Sequence, residues 1–286
     1  MPKVRQKTLQ TVRMIMKSFL LLMLLYPVSV WAQSVDQKID GFSLEGFQDD
    51  GQRAWEVKGA TADILGEQIE ISDVDANAFG EHDVNITART GTLDKKNGDI
   101  FLKEDVVVTT AKGSQLKTDS LYWGKKANTV STEDRAVITD EGMTVSGQGL
   151  KANSELKTAQ LGWDVQVEVE AQGREALQKQ DRIVITCAGP MELDQLNHRA
   201  TLRKDVIAVR GDQTLKADHV EVIFDAETRK IKTIICTDNV VVTRGEHTTY
   251  SDKAIYSAVD QKVILVGRPK LVLPSEELEE ENLFAQ

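Results

Sequence analysis

The chain has 286 residues, 41% of them hydrophobic but only 5% aromatic, and 45 acidic residues outnumber 35 basic ones for a net charge of −10. That is length for two domains and apolar content enough for a core. An acidic balance with no basic face argues against a nucleic-acid partner.

At the N-terminus, Lys3, Arg5, Lys7, Arg13 and Lys17 lead into an apolar run over residues 18–30. Val30-Trp31-Ala32 supplies the −3 and −1 side chains a signal peptidase requires. A helix of that length reaches only about 20 Å, short of the ~30 Å hydrocarbon core, and Pro27 interrupts it. Residues 1–32 are therefore expected to be a cleaved signal peptide, with an uncleaved membrane-anchor helix as the alternative. Either way the body is exported.

Beyond residue 35 no helical periodicity stands out. Instead a short pattern recurs about every thirty residues. Leu116-Lys117-Thr118-Asp119-Ser120-Leu121-Tyr122-Trp123 is one copy, Leu215-Lys216-Ala217-Asp218-His219-Val220-Glu221-Val222 a second, and Thr249-Tyr250-Ser251-Asp252-Lys253-Ala254-Ile255-Tyr256 a third. Counted from the Asp, apolar or small side chains sit at −3 and −1, then at +2 and +4. Alternation of period two means a strand with one buried face. The slip at the Asp keeps that face buried only if the strand bends or bulges there. Weaker copies centre near residues 63, 91, 150 and 188. Such internal periodicity marks stacked units that bury their apolar faces on one another.

A second element pairs apolar residues across a polar triplet, as in Ile100-x-Leu102-Lys103-Glu104-Asp105-Val106-x-Val108, Ala200-x-Leu202-Arg203-Lys204-Asp205-Val206-x-Ala208 and Ile234-x-Cys236-Thr237-Asp238-Asn239-Val240-x-Val242. The triplets read as turns and the valines as strand. Gly-containing turns follow at Lys112-Gly113, Arg210-Gly211 and Arg244-Gly245. No proline occurs between Gln33 and Gly189, as an unbroken sheet requires. The segment Glu168–Lys179 could form one or two helical turns and is the best candidate for a linker. It separates modules expected at 38–170 and 180–273, followed by an acidic, solvated tail at 274–286.

The residues offer little chemistry. None of His82, His198, His219 and His247 stands in a metal-ligand pattern, and His219 is expected to face solvent. Neither a nucleophile elbow nor a phosphate loop is present. Asp119, Asp218 and Asp252 could be carboxylates of a hydrolase. Their recurrence at one slot instead reads as a bend residue bonding nearby backbone N–H groups. Cys187 and Cys236 read as small buried hydrophobes, with a disulfide between them as the lesser alternative. The chain is expected to be no enzyme and to need no cofactor.

The series Gly51-x-x-x-Trp55-x-Val57, Ala62-Asp63, Gly98-x-Ile100-x-Leu102, Val106-x-Val108, Gly113-x-x-Leu116-x-Thr118-Asp119-x-Leu121 and Gly147-x-Gly149-Leu150 resembles the LptC family of lipopolysaccharide export. Ala200-x-Leu202-x-x-Asp205-Val206, Leu215-x-Ala217-Asp218, Ile234-x-Cys236-x-x-Asn239-Val240-x-Val242 and Ala254-x-Tyr256 leading to Gly267-x-Pro269-x-Leu271 resemble its LptA, or OstA-like, partner. The resemblance spans about residues 41–273. It departs from the family in fusing both modules and in carrying what reads as a cleavable leader.

The resemblance implies an all-β protein, two bent, open β-jelly rolls in tandem behind the N-terminal segment. It implies a periplasmic location, or an inner-membrane anchor facing the periplasm. An apolar groove would hold acyl chains of lipopolysaccharide or a similar acylated glycolipid. Its expected lining is Ile100, Leu102, Val106, Val108, Leu116, Leu121, Trp123, Leu202, Val206, Leu215, Val220, Val222, Phe224, Ile234, Val240, Val242 and Tyr256. Implied partners are an inner-membrane export ABC transporter, an outer-membrane lipopolysaccharide assembly protein, and further copies or homologous modules joined by strand pairing at sheet edges. The rival reading is an exported structural β-solenoid with a dry core and no lipid, because a packed core and an open groove need the same apolar face.

Overall fold

The computed structural model describes residues 37–272 except 81–82, 141, 154–157, 170–181, 228–230, 258 and 261. The N-terminal signal or anchor, most of the expected linker and the acidic tail lie outside the described residues. So does His82. The strands are β1 (Gln37–Phe47), β2 (Arg53–Leu65), β3 (Gln68–Ala78), β4 (Val84–Asp94), β5 (Ile100–Thr110), β6 (Gln115–Gly124), β7 (Thr129–Asp140), β8 (Met143–Asn153) and β9 (Thr158–Val169). They continue as β10 (Ile183–Cys187), β11 (Met191–Asp194), β12 (Arg199–Arg210), β13 (Gln213–Phe224), β14 (Ile231–Arg244), β15 (His247–Ser257), β16 (Lys262–Val266) and β17 (Lys270–Val272). All seventeen belong to one sheet, and the protein is all-β over its described residues.

Each strand pairs antiparallel with its neighbours in chain order. The short strands β10 and β11 lie end to end between β9 and β12 and pair with both. In the same way β16 and β17 lie end to end against β15. Seventeen strands thus fill fifteen positions. Gly189 and Pro190 separate β10 from β11, and a Cβ on Gly189 would come 2.8 Å from the Arg203 carbonyl oxygen. The break therefore lets β12 approach closely.

The sheet is creased by bulges on alternate strands. On β5, Glu104 and Asp105 together oppose the single residue Asp119 of β6. On β12, Lys204 and Asp205 oppose Asp218, and on β14 Asp238 and Asn239 oppose Asp252. All six bulge residues have φ between 51° and 66°, the left-handed region that Asp and Asn tolerate best. Glu133 and Asp134 of β7 form a corresponding bulge opposite Gly149. Asp164 of β9 lies at the next one, with φ 49°.

The polar triplets are therefore bulges inside long strands and not the turns expected of them. Both structures ask for the same residue types. Hairpin turns fall instead at the Gly-containing sites expected at Gly113, Gly211 and Gly245. The weak copies near 150 and 188 fall at a bulge partner, Gly149, and at the β10–β11 break, whereas the copy at Asp63 is displaced. Asp63 pairs regularly with Glu70, and it is Gly59 and Ala60 that fall in the unpaired stretch of β2. Glu168 and Val169, read as the start of a linker, belong to β9.

Side chains brace the crease on its outer face. Arg89 Nε donates to Asp105 Oδ2 at 2.6 Å, Ser120 Oγ to Asp134 Oδ2 at 2.5 Å, Arg135 Nη1 to Asp164 Oδ2 at 2.7 Å, and Asn239 Nδ2 to Asp218 Oδ2 at 2.6 Å. In the first three the acceptor is a bulge Asp. Exposed pairs of this kind are worth about 0–1 kcal/mol each, so they orient the crease more than they hold it together.

Inside the crease, β5, β12 and β14 each place a residue immediately after the bulge, whereas on β7 that position is the exposed Arg135. Val106, Val206 and Val240 occupy that slot and are at most 1% exposed, and Val165 of β9 is 2% exposed. The intervening strands put smaller residues there: Ala88, Thr118, Ala217 and Ser251, all buried. The register pairs Val106 with Thr118, Val206 with Ala217 and Val240 with Ser251. Large and small alternate along the crease, and this lets it close.

Candidate functional site

The interior of the folded sheet is apolar, in two clusters, one on β2–β6 and one on β7–β15, and burial along each strand falls off with distance from the crease. The groove residues expected from sequence divide accordingly, and none is exposed. Leu102, Val106, Leu121, Leu202, Val206, Val220, Val222 and Val240 lie near the crease and are buried. Ile100, Val108, Leu116, Trp123, Leu215, Phe224, Ile234, Val242 and Tyr256 stand further out and are half-buried. The result is a buried strip along the crease flanked by half-buried side chains. At the repeat itself the expected pattern holds: Thr118 and Leu121, Ala217 and Val220, and Ser251 and Ala254 are buried around an exposed Asp.

Sequence reasoning left out much of the floor. Leu161, Val165 and Val167 of β9, Val145 and Leu150 of β8, and Cys187 of β10 pack into the same cluster as Leu202, Val206 and Val220. Ala62, Ile69, Ile71, Val74 and Ala88 line the β2–β4 part with Leu102, Val106 and Leu121. The period-two run Leu161-Gly162-Trp163-Asp164-Val165-Gln166-Val167, with its slip at Asp164, carried the signal for β9. Small residues such as Ala62 and Ala88 carried almost none.

The two thiols are free and buried, as the packing reading required. Burial pushes both thiols up, Cys236 to about 11. Of the aspartates at the bends, Asp218 bonds a side chain rather than the backbone group expected of it. Asp218 accepts from Asn239, and Asp252 lies against Gly267. His219 is half-buried, with Nδ1 3.3 Å from Arg203 Nη1, and not free in solvent. Among the described residues no cluster of His, Cys, Asp and Glu is arranged to hold a metal ion.

The first nine strands join the rest through β9. It pairs with β10 from Ile183–Val169 to Cys187–Val165 and with β11 from Met191–Leu161 to Asp194–Thr158. Arg182 and Glu168 form an ion pair at the end of that joint. Val165 and Cys187, cross-strand partners, are 2% and 4% exposed. The apolar floor therefore passes from β9 to β12 without interruption. At its two ends the sheet is open: among the described residues β1 pairs only with β2, and β16 and β17 only with β15. Val263, Ile264 and Leu271 on the second edge are 57–59% exposed.

The family described as "Lipopolysaccharide-assembly, LptC-related" matches residues 14–170, more than half of the chain. The chain belongs to the LptC-related family. A second family, "LptA/(LptD N-terminal domain) LPS transport protein", matches residues 187–283. The LptC-related part and the LptA-like part thus meet at the β9–β10/β11 joint. A similar solved structure is the crystal structure of LptH, the LptA-homologous periplasmic component of the lipopolysaccharide transport device of Pseudomonas aeruginosa. Its identity is 13%, covering 67% of this chain and 94% of LptH, with a TM-score of 0.23. No curated protein matches the chain.

Proposed function

We propose that this LptC-related protein carries lipopolysaccharide, or a similar acylated glycolipid, across the periplasm, holding its acyl chains non-covalently in a trough along the crease. The observation behind the reading is the apolar face itself. It lines successive strands from β2 to β15 in two clusters, the larger of which runs through the joint between the two family matches, and its outer residues are half-buried. An acyl chain of a dozen methylenes gains on the order of 10 kcal/mol by leaving water, enough to keep it in a covered groove throughout a crossing.

Energy for transport would come from an inner-membrane export ABC transporter, and an outer-membrane assembly protein would receive the lipid. The open edges of β1 and β16/β17 would pair with strands of those partners or of further modules. The fused joint places one module beside the other at high effective concentration.

Mass spectrometry of ligands retained by protein extracted from its own periplasm tests the reading. Acylated glycolipid should be recovered, and a photoreactive residue at Trp123 or Val222 should crosslink to it while one at the exposed Lys151 should not. Extracts without lipid would favour the dry structural scaffold.

A further inference from the structure

The ladder between β6 and β7 differs from every other in the described sheet. It pairs Gln115–Lys117 with Thr139–Val137, and Tyr122–Gly124 with Ser131–Thr129. Between those two short runs, Thr118–Leu121 and Thr132–Ala136 face each other with no backbone pairing. At the other bulges no more than three residues of either strand are skipped. Side-chain hydroxyls bridge the gap instead. Thr118 Oγ1 and Thr132 Oγ1 are 3.3 Å apart, Ser120 Oγ is 3.4 Å from Thr132 Oγ1, and Ser120 Oγ donates to Asp134 Oδ2 at 2.5 Å, while within β7 the Asp134 N–H donates to Thr132 Oγ1 at 3.1 Å.

Two further observations fall at the same place. The buried apolar residues form two clusters, one on β2–β6 and the other on β7–β15, and the division runs between β6 and β7. Half-buried Leu116 of β6 touches both and Val130 of β7 packs against the first; within the gap, buried Leu121 and Ala136 belong to different clusters, and the buried Thr118 and Thr132 between them are polar. On the outer face a shallow concavity lined by Phe101, Lys103, Asp105, Asp119 and Ser120 of β5 and β6 reaches Asp134 of β7 beside the gap. By contrast the β9–β10/β11 joint keeps nine register pairs, five on β10 and four on β11, and one apolar cluster spans it.

We propose that the β6/β7 seam is the hinge of this protein, so that β1–β6 and β7–β17 move as two bodies and the junction between the two family regions stays rigid. Regions with few backbone bonds and little apolar contact are where a fold opens first. A replaced ladder and an interrupted floor meet both conditions. The last three strands of the LptC-related region are then mechanically part of the LptA-like region. The inference is independent of what the trough holds.

Pulsed electron–electron distance measurements on the full chain test it. Spin labels at Thr90→Cys and Lys151→Cys span four strand positions across the seam. Labels at Lys151→Cys and Lys216→Cys span four across the joint. All three sites are exposed, and the native thiols are buried, so labelling goes to the introduced cysteines. The seam pair should give a distance distribution at least about twice as wide as the joint pair. Replacing both hydroxyls with methyls, Thr118→Val with Thr132→Val, should join the two clusters and narrow it. In the unmodified protein, those amides of Thr118–Leu121 and Thr132–Ala136 that point across the seam, and not the ones bonded to β5 or β8, should exchange at least about tenfold faster than those of Val165 and Thr186. Equal widths, a wider joint pair, or seam amides as protected as those of the joint would overturn the proposal.

Discussion

Replacing Val206 by Ala tests whether the slot after each bulge is a packed floor. Val206 is 1% exposed, faces Ala217 across the ladder and sits in the larger apolar cluster. The substitution removes two methyl groups' worth of burial, about 1.6 kcal/mol at 0.8 per carbon. The cavity left between neighbours that relax only partly adds ~1 kcal/mol. The total is about 2–3 kcal/mol. At about 2–4 °C per kcal/mol for a domain of this size class, the melting temperature should fall by about 5–10 °C. Val263→Ala on β16, where the residue is 59% exposed, makes the same chemical change outside the floor and should shift it by less than about 2 °C. Differential scanning fluorimetry of the two variants side by side gives the comparison. Equal shifts would refute the reasoning, since then burial after the bulge contributes no more than an open edge does.

Gly267 has φ 90°, and a Cβ there would lie 2.2 Å from Asp252 Oδ2. Gly267→Ala should therefore loosen β16 and β17 from β15, read as faster amide exchange at Ile264 and Leu265 with β12–β14 unchanged; unchanged exchange there would contradict it. Glu56 is buried, with Lys58 Nζ at 2.9 Å and Arg53 Nη1 at 3.4 Å. The hydrogen bond from Lys58, opposed by burial and aided by both cations, holds its carboxyl below the ordinary 4.5. A lowered folded-state value means stability that is complete above the unfolded-state value and is lost as pH falls through the folded one. The melting-temperature advantage of the native protein over Glu56→Gln should thus be full at neutral pH and vanish in acid, and an advantage that persists into strong acid would contradict the assignment. Cys236, at about 11, should be about a thousandth thiolate at pH 8 and resist maleimide until the protein is denatured; prompt labelling of the native form would show that the trough is open to solvent at that depth.

Much of this architecture could be read from residues in sequence. The one-residue slip at Asp119, Asp218 and Asp252 announced a bend, because a period-two pattern can change phase without exposing its apolar face only where the ladder changes register. The side chains at −1 and +2 are buried as that logic requires. The bend was placed on the wrong strand, however. The extra residues belong to the partners, at Glu104-Asp105, Lys204-Asp205 and Asp238-Asn239, and their polar character resembled hairpin turns. The expected lining residues of β5, β6 and β12–β15 are all buried or half-buried. Those of β8 and β9 were not named, because Gly147, Gly149 and Gly162 interrupt the hydrophobic rhythm where the two strands cross the crease. The division of the apolar floor at β6/β7 was not legible, since it depends on Thr118 meeting Thr132 across strands, and a threonine at a buried slot looks in sequence like one on a surface.

Because extra residues sit on every second strand, the sheet folds like a pleat whose repeating unit is one hairpin, a bulged strand and its plain neighbour. Strands stack about 4.8 Å apart, so each such hairpin lengthens the sheet by about 10 Å. Fifteen positions correspond to a span of about 70 Å across the sheet. Inserting or deleting a whole hairpin alters reach without disturbing any other contact, whereas losing a single strand would put two bulges side by side. A bridge assembled from this element can be adjusted to the gap it must cross in increments of two strands and no smaller.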